Sequence, residues 1–204
     1  MIKEILWFPS DKCFINGKWI APKNKKYIHL YNPSNGEFLT NISRGTRADI
    51  NLAVEAAEKA INSSWGKIEA VDRGRILRKM SGLVLKNIKN LTLIEAIDVG
   101  KPLNQAKSDV IALARYLEFY GGASDKIHGT TIPFKNDFLV YSVREPLGVT
   151  AHIIPWNYPM QIIGRSIGAS LAMGNACILK PAEEACLSAL AFGAIAKEAG
   201  LPDG

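Results

Sequence analysis

Between residues 149 and 200 the hydrophobic pattern changes period three times, and that order of periods restricts the fold more than any other feature of the chain. Residues 149–155 form a mostly apolar run of strand length, after which 159–173 place Met160, Ile163, Ile167 and Leu171 on one helical face. Residues 176–180 form a second apolar run, and 185–199 read as a second helix closed by Gly200. Strand, helix, strand, helix needs crossover connections, which are right-handed and lay the strands parallel in one sheet. The expectation is an α/β doubly wound fold with ligands at the carboxyl ends of the strands.

The chain upstream has a different character. Residues 14–20 carry the hairpin signal Asn16-Gly17, and 32–36 form another turn, so 14–42 read as short antiparallel strands. Thr46 and Asp49 form a Thr-x-x-Asp helix start, followed by Ile50, Ala53, Val54, Ala57 and Ile61 on one face and an end near Ser63. A second helix is expected over 70–89 with Ile76, Met80, Leu83 and Val84 inward, and a third from near Asn90 to Gly100-Lys101-Pro102. A fourth carries Ala106, Val110, Leu113 and Leu117 at helical spacing and is expected to close at Gly121-Gly122. Residues 126–132 and 138–143 flank the turn 133–137 and predict a hairpin that must pack on something to be stable. Residues 201–204 read as a loop leading to a further element.

Composition narrows the function classes. With 48% hydrophobic and 22% charged residues, the 204-residue chain has enough apolar material for a core, which argues against disorder. The net charge of +6 raises nucleic acid as a partner. Yet no basic stripe is interleaved with aromatics, and the one dense basic run, 23–26, falls in a loop, so a solvated surface is the expectation. The three cysteines, Cys13, Cys177 and Cys186, have neither metal-ligand spacing nor an even count, which suits a reducing compartment, with the cytoplasm as the default. No apolar run approaches the roughly 18 residues of a membrane span, and 5–9 is too short for a signal-peptide core. No membrane, nucleic acid or metal is expected.

The Gly-x-Gly-x-x-Gly dinucleotide fingerprint is absent, so the alternation by itself leaves function open. Four motifs narrow it: Glu145-Pro146-Leu147-Gly148-Val149, Ile154-Pro155-Trp156-Asn157-Tyr158-Pro159, Leu171-Ala172-Met173-Gly174-Asn175 and Leu179-Lys180-Pro181-Ala182-Glu183. In order and spacing they resemble the aldehyde dehydrogenases. Weaker similarity extends through Asp98-Val99-Gly100-Lys101-Pro102 and Asn32-Pro33 to Phe14-Ile15-Asn16-Gly17.

The resemblance implies a partial doubly wound, Rossmann-like dinucleotide-binding domain with a protruding β-hairpin and without the catalytic domain. Residues 1–125 would be its N-terminal strands and helices, 126–145 an oligomerisation hairpin and 146–204 the first strand-helix-strand-helix of the sheet. Asn157 would donate its amide to the oxyanion formed when a thiolate adds to an aldehyde; read from the residue alone, an asparagine two residues before Pro159 is more often a helix cap, and the motif around it turns the reading to the oxyanion. Ile153, Ile154, Pro155 and Trp156 would line the cofactor groove, with core packing as the plain alternative. Lys180, Pro181, Ala182 and Glu183 would bind the cofactor, Lys180 and Glu183 holding the adenosine ribose. An acidic side chain suits a ribose diol and repels a 2′-phosphate, so NAD is the expected cofactor, with NADP open. The plain alternative for that pair is an exposed ion pair at a helix start.

One departure is that many relatives have Trp-Lys where this chain has Arg165-Ser166, which puts in question a charge relay assigned to that lysine. The family's nucleophilic cysteine, general-base glutamate and Gly-rich turn would all lie beyond Gly204. Cys177, within an apolar strand, and Cys186, expected on a helix beside Glu183 and Glu184, read as structural, since apolar burial and negative neighbours raise a thiol's pKa. The expected function is the N-terminal part of an oxidoreductase that oxidises an aldehyde to a carboxylic acid with NAD(P)+ through a cysteine thiohemiacetal, homo-oligomeric when intact. The alternative from another class is a non-catalytic module that associates with a full-length partner through its helices and hairpin.

Overall fold

The computed structural model describes residues 2–204. After a four-residue helix α1 (Ile2–Ile5), the strands β1 (Cys13–Ile15) and β2 (Lys18–Ile20) pair antiparallel with Cys13 opposite Ile20. The turn between them has left-handed backbone at Asn16 (φ 51°) and Gly17 (φ 66°), the two-residue geometry that matches strand twist. A longer antiparallel pair follows, β3 (Tyr27–Tyr31) with β4 (Phe38–Ser43). The helix α2 (Arg47–Ile61) starts where the Thr-x-x-Asp signal predicts. The Thr46 backbone N–H and hydroxyl both donate to Asp49 Oδ2 at 2.8 Å, while Asp49 Oδ1 accepts the Lys23 N–H at 3.0 Å. One capped helix end therefore also ties down the basic loop.

Three helices follow and bury apolar faces in the core: α3 (Ala70–Lys86), α4 (Ile88–Val99) and α5 (Leu103–Ala123). Met80, Val84, Ala106, Val110, Leu113 and Leu117 are fully or almost fully buried, as their spacing predicts, and Leu77 joins them. The expected face of α2 holds only in part. Ala57 is buried, but Ile50 is 45% exposed, because that end of the helix borders a cavity instead of a packed layer.

The expected stop at Gly121-Gly122 is corrected: α5 runs on to Ala123. Gly121 lies where α5 crosses α3 against Gly74. A Cβ on Gly121 would stand 2.9 Å from the Gly74 carbonyl oxygen, and one on Gly74 would stand 2.3 Å from the Gly121 oxygen. The glycine pair permits close backbone approach and does not end the helix.

The strands β7 (Val149–Ile153) and β8 (Ala176–Lys180) pair in parallel from Val149 opposite Ala176 to Ile153 opposite Lys180, joined through α6 (Pro159–Ala172), with α7 (Leu187–Ala199) after β8. The alternation thus produces the expected parallel crossover unit. Both α2 and α6 pack on this strand pair. Beside β8 lies a cavity of about 560 Å³ lined by Phe14, Ile50, Ala57, Ile178 and Leu190 among others. The hairpin between α5 and β7 is shorter than predicted: β5 (Thr131–Ile132) and β6 (Val140–Tyr141) pair over two residues each. Its apolar side chains, Phe134, Phe138, Leu139 and Tyr141, are exposed, so only the immediate ladder holds it. Among the described residues no helix is long and apolar enough to cross a membrane.

The glycine contact yields a paired test. Gly122 has nothing within 4 Å of a Cβ, whereas Gly121 meets backbone. Gly122→Ala should raise stability by up to about 1 kcal/mol through helix propensity, and Gly121→Ala should lower it by overpacking. Urea unfolding followed by circular dichroism measures both; equal effects would refute the close-packing account.

Candidate active site

The site forms where β7 and β8 end. The Ile154 N–H donates to the Lys180 carbonyl at 2.9 Å, extending the parallel ladder one step and holding the segment 153–157 beside 180–183. The two motif segments singled out in the sequence are therefore brought together at the carboxyl edge. Ile153 is 77% exposed and Trp156 56%, and Pro155 is exposed as well, so these three offer open surface. Ile154 differs: its side chain is buried in the core at 3%, so only its backbone can face a ligand, and the packing alternative describes that side chain.

Asn157 is exposed, and its side-chain amide makes no hydrogen bond among the described residues. It does not cap α6. The N-cap position belongs to Tyr158, Pro159 occupies the first turn, and no side chain bonds the helix terminus. A neutral donor at a strand's end, unoccupied by any internal partner, is what stabilisation of a developing oxyanion requires.

Lys180 and Glu183 are exposed and do not form the expected alternative ion pair with each other. Glu183 and Glu184 also precede α7 by several residues, because the helix begins at Leu187 and not at 185. Lys180, Pro181, Ala182 and Glu183 line the 560 Å³ cavity. The carboxylate and the ammonium are thus free to meet a polyhydroxyl group.

Burial holds all three thiols above their ordinary pKa. Burial pushes Cys177 up, against hydrogen bonding from Ser170 and Thr150. Cys186 is raised well above its ordinary value by burial and then by Asp98. Two details of the sequence expectation change: Cys186 stands at the N-cap of α7 and not within a helix, and the negative neighbour is Asp98 and not Glu183 or Glu184. At the position of the absent lysine, the Ser166 hydroxyl donates to the Ile162 carbonyl at 2.7 Å within α6, and Arg165 is exposed.

Beneath the Asn157 loop lies a group that the sequence reading missed. Lys101 Nζ donates to Glu95 Oε1 at 3.0 Å, Asp109 Oδ2 at 2.7 Å and the Asn157 carbonyl at 2.9 Å, and sits 4.6 Å from the Tyr158 ring centroid. Asp109 Oδ1 accepts from Gln161 at 2.6 Å and Gln105 at 2.9 Å, and Glu95 Oε2 accepts from Ser188. Burial works against the Lys101 charge, but bonding to Asp109 and Glu95 more than offsets it and raises its pKa. Asp98, also buried, accepts the Leu187 N–H at 2.8 Å on one oxygen and leaves the other unpartnered. The available signal was phase: Glu95 and Asp109 stand next to Ile94 and Val110 on inward helix faces, where a carboxylate has to be paired.

Burial, opposed by the Leu187 bond and reinforced by Glu95, pushes the Asp98 carboxyl up to about 8. The folded protein therefore keeps a proton on Asp98 at pH values where the unfolded chain has lost it. Stability from this group falls as pH rises from the ordinary carboxylate range to about 8. Asp98→Asn should accordingly raise the thermal midpoint more at pH 8 than at pH 5. An equal gain at both values would mean that Asp98 is ionised in the folded state.

Comparison with known proteins matches residues 19–204 to the aldehyde dehydrogenase family model. Hydroxyisobutyraldehyde dehydrogenase of Mycolicibacterium austroafricanum is 41% identical over 191 residues, which is 94% of this chain and 38% of that protein. An NAD+ complex of an aldehyde dehydrogenase from Bacillus cereus superposes with a TM-score of 0.93 at 36% identity, covering 96% of this chain and 40% of that one. A crystal structure from Burkholderia cenocepacia, described as of an aldehyde dehydrogenase, reaches 0.93 at 54% identity, covering 94% and 40%. The chain thus spans about two fifths of the length of these relatives.

Proposed function

Because the chain belongs to the aldehyde dehydrogenase family, we propose that it is part of an NAD(P)-dependent enzyme that oxidises an aldehyde to a carboxylic acid. The observation that carries this reading is the free Asn157 amide beyond the carboxyl end of the parallel strand pair, in the segment that the Ile154–Lys180 ladder bond holds beside 180–183.

In this reading Asn157 acts on the aldehyde oxygen. A thiolate attacks the carbonyl carbon, the C=O electron pair moves onto oxygen, and the amide N–H groups stabilise the resulting oxyanion of the thiohemiacetal. None of Cys13, Cys177 or Cys186 is that thiolate. Cys177 and Cys186 are inward and their thiols are raised, and Cys13 is raised too, by burial. Collapse of the oxyanion re-forms the carbonyl as hydride leaves the carbon, and water then releases the acid.

The residues at the edge fit a nicotinamide dinucleotide. Glu183 offers a carboxylate acceptor for a ribose diol, Lys180 a donor, and Ile153, Pro155 and Trp156 exposed surface beside them. Bound there, the dinucleotide would supply the hydride acceptor. Glu183 favours NAD, since its charge opposes a 2′-phosphate. The exposed apolar side chains of the β5–β6 hairpin support a role for 126–145 as a contact between subunits of a homo-oligomer, next to the segments 1–125 and 146–204. The three free cysteines fit a cytoplasmic setting.

In the complete enzyme, Asn157→Ala should lower kcat roughly a hundredfold or more while leaving NAD affinity unchanged. Steady-state kinetics decides this, and turnover within a few-fold of wild type would remove Asn157 from the chemistry. Glu183→Gln should increase the ratio of kcat/KM with NADP to that with NAD. An unaltered ratio would mean that Glu183 does not face the ribose.

A further inference from the structure

We propose that Lys101 is the positioning residue for Asn157: held by Glu95 and Asp109, its ammonium fixes the Asn157 carbonyl and through that peptide aims the side-chain amide. The inference rests on the reading of Asn157 as the oxyanion donor. An ammonium has three protons, and here each has one acceptor: Glu95 Oε1, Asp109 Oδ2 and the Asn157 oxygen. Two of those acceptors sit on helices of the packed core, so the third direction is fixed. If the 157–158 peptide rotated, it would leave a proton of an almost buried cation without a partner.

Neighbouring residues are tied to the same cluster. Tyr158 lies under the ammonium, and Gln161, in the first turn of α6, donates to the other oxygen of Asp109. The Asn157 side chain has no hydrogen bond of its own among the described residues, so the restraint on it is the backbone that Lys101 holds, which sets the position and direction of its Cα–Cβ bond. An oxyanion donor must stand about 2.7–3.1 Å from the oxygen it serves, and a displacement of about 1 Å can cost about a hundredfold in rate.

The test is a double-mutant cycle in the complete enzyme. Lys101→Met should lower kcat about tenfold or more with the KM for NAD changed by less than about twofold, because the cluster touches the loop of Asn157 and not Lys180 or Glu183. In the Asn157→Ala background the same substitution should cost less than about twofold, since no amide remains to be aimed. Lys101→Met leaves buried carboxylates unpaired, so Glu95→Gln/Lys101→Met/Asp109→Asn, with no unpaired charge, serves as the second variant and should show the same kcat loss. A loss that persists undiminished in the Asn157→Ala background, or unaltered kcat in both variants, overturns the positioning role. If Asn157→Ala alone leaves turnover intact, the oxyanion reading itself fails, and the two failures are told apart by that single variant.

Discussion

The ion cluster of Lys101, Glu95 and Asp109 is the interaction on which the arrangement of the C-terminal half depends. It draws its members from α4, from the link to α5, and from α5 itself, and it reaches α6 through Gln161, α7 through Ser188 and the β7–α6 loop through the Asn157 carbonyl. Apolar packing alone allows helices to slide with little change in buried area. A buried cation with a fixed set of acceptors does not, because a partner lost there costs about 3–5 kcal/mol. The cluster therefore sets the register between the helical layer and the parallel strands, while Leu77, Met80, Leu113 and Leu117 are among the many side chains that supply the apolar burial.

Asp98 shows what the same interior does to a carboxylate without a cation. It lies one helical turn from Glu95 on α4, yet its only hydrogen-bond partner is the Leu187 N–H. Asp98 is pushed up to about 8 and Glu95 is raised as well, burial being the leading cause for both, whereas Glu95 has Ser188 and Lys101 to oppose it. Neutral Asp98 can hold the start of α7 without carrying a charge into the core, and once ionised at higher pH its charge adds to the burial that holds the Cys186 thiol up.

Much of the fold was legible from period alone. Strands of five residues and helices with apolar residues three and four apart are set by local geometry, so β7, β8 and α6 start where the pattern puts them. Three features were not legible, each because it depends on a partner distant in sequence. Gly121 reads as a helix end until Gly74 is seen across from it; Ile50 reads as core until the cavity beside β8 is seen; and Glu95 and Asp109 have no evident partner until Lys101 stands between them. In the site, the motif order identified which segments would meet. The burial of the Ile154 side chain and the absence of a cap at Asn157 needed the backbone.

In the proposed reading of Asn157 as an oxyanion donor, the division of labour at that residue follows from the demands on such a donor. Had the amide been held by a bond to its own side chain, that bond would have to break before it could act, and the cost would enter the barrier. Had it been unheld at every atom, ordering it would cost the entropy of the loop. The arrangement avoids both: the carbonyl of the residue is anchored to a buried cation, and the side chain of the same residue is left without a partner. Placing the constraint on the backbone and the function on the side chain would let a neutral, non-titrating group keep a fixed point of attachment and stay available. It also explains why an ion cluster with no atom at the strand edge sits directly behind it.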